Sequence, residues 1–520
     1  MSSREPLVLV FDCGTQSTRA FLFNKKGDIL AKVKLSVEPY FSTQAGYAEK
    51  NTDDYWASVC EVSKKLKEKS GDLWNNIIAC SITTLRAVFV CLDKNNKPLR
   101  PSITWLDQRK ATKFDKMPLI NKFLFRLVGM HEAVKQQRKI STANWIKQFE
   151  PEIWAKTDKF VFESAYLNYK LCGEVCDSMA SIIGRIPYDY KHFKWMTEKS
   201  LNYHIFGAEI DKMCPLKKPG ELMGYITKEA SLQTGIKEGL PIITTGSDKA
   251  CETLGVGCLD RDVASLSFGT TATVQTTTDK YYEPQRFMPA YDAVVPDHYN
   301  PEVQIFRGYW MITWFKEQFA QKEVLQAEEM GVAPEALLDA QLKNIPVGSE
   351  GLILQPYWSP GLKIPEAKGA IIGFSDVHTR VHVYRAIIEG IGFALFEGLE
   401  TLEKRTKTHI NHIAISGGGS SSDAIAQITA DMFGKKVYRV QTYETSGLGS
   451  AIMTFVGMKE FDSVQSALKD MVHRGDEFTP NEENHKLYLE IYNKVYKKVY
   501  KNVRHLYYNI KDIVKDKGKK

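Results

Sequence analysis

Short apolar runs bounded by polar turns alternate with helix-like patterns along most of the chain. Two of these runs, at residues 7–11 and 20–23, predict strands joined by a tight turn that begins near Asp12. The same arrangement returns about half a chain later, where two apolar runs flank Gly269 and Thr270. We therefore expect a duplicated domain with one such hairpin in each half, the two facing each other across a cleft. Coincidence between two unrelated hairpins is the alternative.

The rest of the pattern is typical of an α/β protein, in which strands and helices alternate with few long linkers. Apolar runs at 77–82 and 242–245 predict buried strands, and the run at 412–415 precedes a helix. We place the domain boundary near residues 255–262. The predicted domains are residues 1–257 and residues 258–520.

The turn of the first hairpin has the composition of a phosphate and magnesium site. Gly14 lets the backbone come close to an anion, and turn N–H groups and the hydroxyl of Thr15 can donate to phosphate oxygens. Asp12 cannot stabilise a phosphate directly, so its natural partner is Mg²⁺, which is usually held by one or two carboxylates plus phosphates. The turn therefore indicates nucleotide chemistry, and an ordinary hairpin with a polar turn is the alternative.

A turn rich in Gly and Ser, residues 416–422, lies between a predicted strand and a predicted helix. Helix N-termini and bare glycine backbone bind phosphate or let a flat base lie close, so nucleotide contact is favoured over a merely flexible loop. The sequence has no Walker A motif, no complete Gly-x-Gly-x-x-Gly after a strand and no Gly-x-Ser-x-Gly elbow. His378 and His382 have no helical glutamate between them to act as a base, which argues against a zinc site.

Charged and aromatic residues follow several predicted strands, which is where ligands bind in α/β proteins. Asp248 lies just after a strand and can accept the proton of a hydroxyl that attacks a γ-phosphate, although Asp is also a favoured helix N-cap. Arg86, Trp105, Asp107 and Arg109 follow two other strands. These groups suit a polyol, because carboxylates and guanidinium groups bind hydroxyls and an indole covers C–H groups. A surface ion pair beside a half-buried Trp is the alternative.

Composition narrows the class of protein. The chain of 520 residues is 43% hydrophobic and 25% charged, and no apolar run approaches the ~18–20 residues of a membrane helix. The polar N-terminus leads straight into a predicted strand, so we expect no secretory signal, and nine scattered cysteines favour a reducing cytoplasm. We therefore expect a cytoplasmic protein that contacts neither membrane nor nucleic acid.

The positive net charge comes from the C-terminal tail, since residues 494–520 hold ten Lys or Arg against two Asp. The sequence predicts a helix over 480–516, with Thr479 as N-cap and an apolar face that runs from Val495 to Val514. We expect this face to dock on the body while the lysines stay in water. Contact with an anionic membrane or nucleic acid is the sharper alternative.

The order of these motifs resembles that of the FGGY carbohydrate kinases, a family of the actin/Hsp70/sugar-kinase superfamily. The most specific element is Gly-Ala-Ile-Ile-Gly-Phe at 369–374, followed after seven residues by His-Val-Tyr-Arg-Ala-Ile-Ile-Glu at 382–389. The resemblance covers nearly the whole chain, from Leu7 to about Met458. It implies an α/β fold of two actin-like (ribonuclease H-like) domains that flank a cleft for ATP and a sugar. The implied activity is that of a phosphotransferase with an alcohol group as acceptor.

The resemblance also implies a site, residue by residue. Asp248 would be the catalytic base, and Asp12 would face Mg²⁺, largely through water and phosphate. The residues implied for ATP and its phosphates are Asp12, Thr15, Gln16, Thr270, Gly418, Gly419 and Ser422. Those implied for the sugar or polyol are Arg86, Trp105, Asp107 and Asp248.

Departures from the family pattern leave the substrate open. Glycerol kinases carry Gln-Arg-Glu where this chain has Leu85-Arg86-Ala87, and Gln where it has Lys249. The segment from Trp105 favours xylulokinase-like, gluconokinase-like and autoinducer-2-kinase-like members. We expect an ATP-dependent, xylulokinase-like kinase of a sugar, ketose or polyol, with a glycerol or other sugar-alcohol kinase as the runner-up. An actin-like ATPase switch or pseudokinase is the alternative of another class, and a homodimer is the assembly to test.

Overall fold

A computed structural model describes residues 5–285, 288–358, 364 and 366–517. Two six-stranded sheets form its framework within these residues. The strands of the first sheet, in spatial order, are Leu222–Tyr225, Pro241–Ile243, Ile77–Thr84, Leu7–Cys13, Ser17–Phe23 and Ile29–Ser36. Those of the second sheet are Glu302–Ile305, Ala272–Gln275, Val263–Phe268, His412–Ser416, Lys436–Val440 and Arg474–Phe478.

The two sheets share one topology. In each, an antiparallel meander of three strands is followed by two strands that add parallel to its first strand, and an antiparallel strand completes the other edge. The sixth strand is the exception in chain order, since it precedes the fifth strand in the first half and follows it in the second. The predicted α/β fold of two actin-like domains is confirmed, and the two hairpins are equivalent elements of it.

Smaller sheets attach to this framework. A four-stranded sheet in the first half contains Glu49–Lys50, Ser102–Ile103, Phe89–Leu92 and Lys159–Phe162. The two-stranded pairs are Tyr188–Asp189 with Lys194–Trp195, Asp177–Ser178 with Leu216–Lys217, Tyr291–Asp292 with Tyr299–Asn300, and Ile353–Gln355 with Ala370–Ile372.

Helices cover the sheets of both halves. The α-helices of the first half are Thr52–Ser70, Leu119–Leu127, His131–Ile140, Thr142–Phe149, Pro151–Lys156, Glu163–Cys172, Tyr203–Phe206, Lys228–Thr234 and Asp248–Gly255. Those of the second half are Trp310–Phe319, Gln321–Met330, Pro334–Leu342, Arg380–Thr406, Asp423–Phe433, Thr445–Gly457, Val464–Met471, Glu482–Ile491 and Lys497–Lys517. Short 3₁₀ helices are Gly71–Asn76, Met179–Ser181, Ile210–Lys212, Ser349–Gly351 and Gly418–Ser421. Within the described ranges, no helix combines the length and apolarity that a membrane span requires.

Two equivalent helices, Asp248–Gly255 and Thr445–Gly457, cross where the halves meet. Each follows the fifth strand of its own sheet. Glycines allow the close approach, because a Cβ on Gly255 would lie 2.0 Å from the carbonyl oxygen of Thr445 and one on Gly449 would lie 1.8 Å from that of Cys251. This crossing fixes the first helix with its N-terminal end, which holds Asp248, in the cleft.

The C-terminal helix begins later than the sequence predicts, and it is interrupted. Its N-cap is Asn481 rather than Thr479, since the Asn481 side chain accepts hydrogen bonds of 3.0 Å from the backbone N–H groups of Glu483 and Asn484. A π-helical turn, Tyr492–Tyr496, separates the two α-helical parts.

The predicted docking face of this helix is wrong for most of its length, although Val499 is buried at 6% exposure. Leu506, Ile510 and Val514 are 47%, 48% and 63% exposed, whereas Tyr492 and Tyr496 are 1% exposed. Tyrosines four residues apart form the packed face, and their rings contact Phe393 and one another. The aliphatic pattern alone hides this face, because tyrosine combines a large apolar ring with a polar tip.

Candidate active site

Both hairpins and the Gly-rich turn open onto one cleft of about 2970 Å³ between the halves. The structure brings every site residue that the sequence predicts to the wall of this cleft. They are Asp12, Thr15, Gln16, Arg86, Trp105, Asp107, Asp248, Thr270, Gly418, Gly419 and Ser422. The cleft therefore joins the predicted nucleotide groups and the predicted sugar groups in one site.

The first hairpin presents its turn to the cleft. The N–H of Gly14 donates to the carbonyl oxygen of Ser17 at 3.0 Å and closes the turn, and the Gln16 side chain beside it is exposed. The indole N–H of Trp105 donates to the Thr15 hydroxyl oxygen at 3.1 Å. The hydroxyl proton of Thr15 stays available for an anion, so this residue connects the predicted phosphate side with the predicted sugar side.

Asp12, near the end of strand Leu7–Cys13, is a buried acid among other acids. The pKa of Asp12 is raised to about 6, mainly by burial and also by Asp248, Glu444 and Glu252, against the opposing effect of Arg19. The guanidinium of Arg19 lies 3.3 Å from the Asp12 carboxylate and also pairs with Glu444. Several carboxylates thus face one point of the cleft, an arrangement that a bound cation would relieve.

Asp248 is the first residue of its helix, and the N-cap position belongs to its neighbour. The hydroxyl of Ser247 accepts the capping bond from the N–H of Ala250 at 3.4 Å. Oδ1 of Asp248 accepts from the N–H of Lys249 at 2.7 Å, and Oδ2 has no hydrogen bond among the described residues. Burial raises the pKa of Asp248, and the positive charges of Lys249 and Arg86 oppose this increase. One carboxylate oxygen is therefore free to accept a proton from a ligand in the cleft.

The side chain of Lys249 links the start of helix Asp248–Gly255 to the second hairpin. Its ammonium lies 2.7 Å from the carboxylate of Glu252 and 2.6 Å from the hydroxyl oxygen of Ser267, close to the exposed turn residue Thr270. The hydroxyl of Ser416, where the Gly-rich turn begins, donates to Glu252 as well. Sequence reasoning noted Lys249 only as a departure from glycerol kinases, and it missed Glu252.

The Gly-rich turn presents flat, open backbone. The ring of Tyr309 stacks on Phe268 with centroids 4.8 Å apart, and a Cβ on Gly419 would lie 2.5 Å from the Tyr309 ring. A Cβ on Gly418 would meet nothing within 4 Å. Ser422 caps the following helix by accepting from the N–H of Ile425 at 3.3 Å. The turn is therefore uncovered at Gly418, while the Tyr309 ring covers Gly419.

Arg86 is paired across the cleft with Glu302, which sequence reasoning did not single out. The two guanidinium nitrogens of Arg86 lie 2.9 Å and 3.0 Å from the two carboxylate oxygens of Glu302, a strand residue of the second half. The carboxylate raises the pKa of Arg86 against the effect of burial. The partners lie 216 positions apart in the sequence, so local patterns cannot reveal the pair.

Asp107 is held by protein donors on both of its oxygens. It accepts from the N–H of Ala48 at 2.8 Å and from the N–H of Arg109 at 2.9 Å, and the Arg109 guanidinium lies 2.7 Å away. The cation of Arg109 also lies 3.9 Å and 4.4 Å from the ring centroids of Tyr47 and Trp145. The ion pair between Arg109 and Asp107 is buried. The alternative prediction of a surface ion pair is therefore wrong.

Models of two protein domains match this chain in succession. The N-terminal domain of the FGGY family of carbohydrate kinases matches residues 7–255, and the C-terminal domain of that family matches residues 264–458. The chain belongs to the FGGY family of carbohydrate kinases. It is accordingly a phosphotransferase with an alcohol group as acceptor, as the order of motifs implies. The domain bounds of 1–257 and 258–520 stay a prediction.

Curated relatives of this FGGY kinase cover almost its full length. It is 27% identical over 482 residues to the uncharacterized sugar kinase YgcE of Escherichia coli, covering 92% of this chain and 90% of the relative. It is 26% identical over 488 residues to a gluconokinase of Bacillus subtilis, covering 92% and 93%. The ligand-bound xylulose kinase of Lactobacillus acidophilus has the same fold, with a TM-score of 0.81 at 21% identity over 97% of this chain and 100% of that one.

Proposed function

We propose that this chain transfers the γ-phosphoryl group of ATP to a hydroxyl of a sugar, ketose or polyol, with Asp248 as the general base. The observation that carries the proposal is the position of Asp248, whose Oδ2 opens into the cleft that both hairpins line. A carboxylate there can accept the proton of the attacking hydroxyl. The rise of its pKa on burial favours that transfer, because a more basic carboxylate holds the proton better.

The residues around Asp12 fit a magnesium ion. Burial and the acids Asp248, Glu444 and Glu252 raise the pKa of Asp12, so a cation at this point would relieve unfavourable charge. Asp12 would hold Mg²⁺ together with water and the phosphates of ATP, and the ion would neutralise charge on the transferring group. The Thr15 hydroxyl and the turn at Thr270 would donate to the phosphates from the two sides of the cleft.

The remaining cleft residues are proposed to position the acceptor. The guanidinium of Arg86, held by Glu302, can donate to hydroxyl groups, and the half-buried indole of Trp105 can cover the C–H side of a sugar. Gly418 and Gly419 would lie against the adenine. The buried contacts of Asp107 suit a role in fixing Arg109 and the backbone at Ala48. A sugar hydroxyl that also bound Asp107 would have to share its carboxylate oxygens with these two partners.

The relatives named xylulose kinase and gluconokinase support a ketose or sugar-acid acceptor over glycerol. Glycerol kinases carry a glutamate directly after the arginine, whereas this chain has Ala87 at that position. This difference argues against glycerol as the acceptor. An ATPase switch or pseudokinase would not need the acceptor side of the cleft, where Arg86, Glu302 and Trp105 lie.

The test is release of ADP from Mg-ATP against a panel of ketopentoses, sugar acids, polyols and glycerol, with a control that contains no acceptor. We expect release that depends on one acceptor class. In that assay Asp248→Asn should lower kcat by about 10²–10⁴, the usual contribution of a general base. Asp279→Asn, at an exposed ion pair with Arg261, is the matched control and should leave kcat unchanged. Turnover by Asp248→Asn close to that of the unaltered chain would sink the assignment, and release without acceptor would favour an ATPase.

A further inference from the structure

Arg185 is a cation of the cleft that has no hydrogen-bond or ion-pair partner among the described residues. It follows the 3₁₀ helix Met179–Ser181 and lines the same cleft as Arg86 and Asp248. Its Nε is sealed from solvent without a hydrogen bond, and no described side chain or carbonyl group forms a hydrogen bond or ion pair with its other nitrogens. Buried polar groups are normally satisfied, so this exception needs an explanation.

Three other cations of the cleft are neutralised inside the protein, each by a carboxylate within 3 Å. The pairs are Arg86 with Glu302 at 2.9 Å, Arg109 with Asp107 at 2.7 Å, and Lys249 with Glu252 at 2.7 Å. Arg185 therefore differs from these groups in charge balance as well as in hydrogen bonding. Arg185 is partly buried, with its Nε sealed from solvent. A partly desolvated cation without a counter-ion is unfavourable, and a ligand that supplies the counter-ion offsets that cost on binding.

The surroundings of Arg185 are aromatic and fixed. A Cβ on the preceding Gly184 would lie 3.1 Å and 3.2 Å from the rings of Phe162 and Phe89, so the backbone there is pressed against the core. Burial lowers the pKa of Arg185, and the phenol of Tyr291 is the group that opposes this effect. The ring of Tyr291 also lies 5.7 Å from the Arg86 guanidinium. Arg185 and Arg86 thus share one wall of the cleft, on the side proposed for the acceptor.

We propose that Arg185 binds a carboxylate of the acceptor, which makes the acceptor a sugar acid rather than a neutral sugar or polyol. This inference rests on the proposed kinase function. The planar fork of a guanidinium matches two carboxylate oxygens, and one unpaired cation matches one negative charge. Arg86, already neutralised by Glu302, is left to bind hydroxyl groups.

Matched acceptors test the charge directly. D-gluconate is compared with D-glucitol and D-xylonate with xylitol, because each pair differs only in a carboxylate against a CH₂OH group. We expect kcat/KM for the acid to exceed that for its polyol by about tenfold to a hundredfold, the usual range for hydrogen bonds to a charged group. D-glucose 6-phosphate serves as the phosphate-bearing comparison. Preference for it over both acids would contradict a carboxylate site.

Variants test the residue. Arg185→Gln should raise KM for the acid by about tenfold to a hundredfold, with KM for ATP unchanged, and Arg185→Lys should retain part of the affinity. The exposed Arg261→Gln removes the same charge outside the cleft and should change neither value. Since Arg185 has no partner in the described part of the chain, Arg185→Gln should unfold at the same or a higher temperature than the unaltered chain. A lower unfolding temperature together with unchanged kinetics would show a structural role and overturn the proposal.

The inference and the kinase proposal fail in different ways. If neutral acceptors are phosphorylated as well as their acids, the kinase stands and the carboxylate site is wrong. If no acceptor releases ADP, the kinase proposal fails, and calorimetric titration with D-gluconate decides the inference. Binding that disappears in Arg185→Gln would uphold the anion site, whereas no binding, or equal binding by both chains, would overturn it.

Discussion

Burial and the neighbouring acids disfavour the ionised form of Asp12. Its pKa is raised from the ordinary value of 3.8 to about 6 by burial and by the acids around it. Between these values the folded state binds more protons than the unfolded state, so the free energy of unfolding falls as the pH rises and stays lower above pH 6. We expect Asp12→Asn to raise the free energy of unfolding by about 1–3 kcal/mol at pH 7.5, and to change it little at pH 4.

Urea unfolding without nucleotide, at the two pH values, checks this expectation. Asp279→Asn removes an exposed carboxylate and should show no such difference. If Asp12→Asn were less stable at pH 7.5, the ion pair between Asp12 and Arg19 would outweigh the effect of burial. Loss of activity together with gained stability is the pattern of a group held for function.

Lys249 and Glu252 form a buried pair whose members depend on each other. Their side chains are 17% and 8% exposed. Lys249→Met would leave the Glu252 carboxylate without a cation, and we expect a loss of about 3–5 kcal/mol in the free energy of unfolding. Adding Glu252→Gln should recover part of that loss, because the uncompensated charge is removed. A double variant no more stable than Lys249→Met, measured by urea unfolding at pH 7.5, would show that the ammonium has another role.

Single residues show what the sequence can and cannot predict of the site. Asp12, Asp248 and the Gly-rich turn were predictable because they lie at or shortly after strand ends, and ligands bind at the carboxyl ends of strands in α/β proteins. Glu302 and Arg185 were not predictable, since the first matters through its ion pair across the cleft and the second through its lack of one. The partner of Arg86 lies 216 residues away, and the isolation of Arg185 is a property of the folded site alone.

At the scale of elements, the crossing of helices Asp248–Gly255 and Thr445–Gly457 depends on the absence of side chains at the contact. Gly449→Ala would place a Cβ 1.8 Å from the carbonyl oxygen of Cys251, so the two helices must move apart. We expect a loss of about 1–3 kcal/mol in the free energy of unfolding, typical of an overpacked contact, with lower kcat because Asp248 begins one of these helices.

Gly447→Ala is the comparison in the same helix. Its Cβ would lie 3.1 Å from the ring of Phe21, a side chain that can shift, so the loss of stability should be smaller. Equal unfolding free energies for Gly449→Ala and the unaltered chain would mean that the helices separate without strain.

The C-terminal helix shows where pattern reading of an element fails. Its existence was predictable from apolar spacing, but the packed face was not, because the tyrosines at 488, 492 and 496 lie outside the aliphatic pattern. Hydrogen bonds from Tyr488 to Glu389 at 2.8 Å and from Tyr492 to Glu400 at 2.7 Å satisfy their polar tips. A ring with a satisfied hydroxyl packs as a core residue, which the sequence alone does not reveal.

At the scale of the whole molecule, duplication was predictable from a motif of a few residues. A hairpin that recurs half a chain later predicted two equivalent sheets, and the shared strand order confirms them. The connection that places the sixth strand before the fifth in the first half carried no such signal. Strand order at a sheet edge depends on long-range pairing, which local patterns do not encode.

The cleft is much larger than its proposed ligands require. Its volume of about 2970 Å³ exceeds the ~300–1000 Å³ of typical small-molecule sites. An open site of this size would expose the γ-phosphate to water, so productive transfer requires the halves to approach each other. We expect the radius of gyration from small-angle X-ray scattering to decrease when Mg-ADP and the acceptor are both present. Each ligand alone should produce a smaller change, since neither spans both walls. An unchanged radius with both ligands bound, as established by calorimetry, would show that transfer takes place in the open cleft.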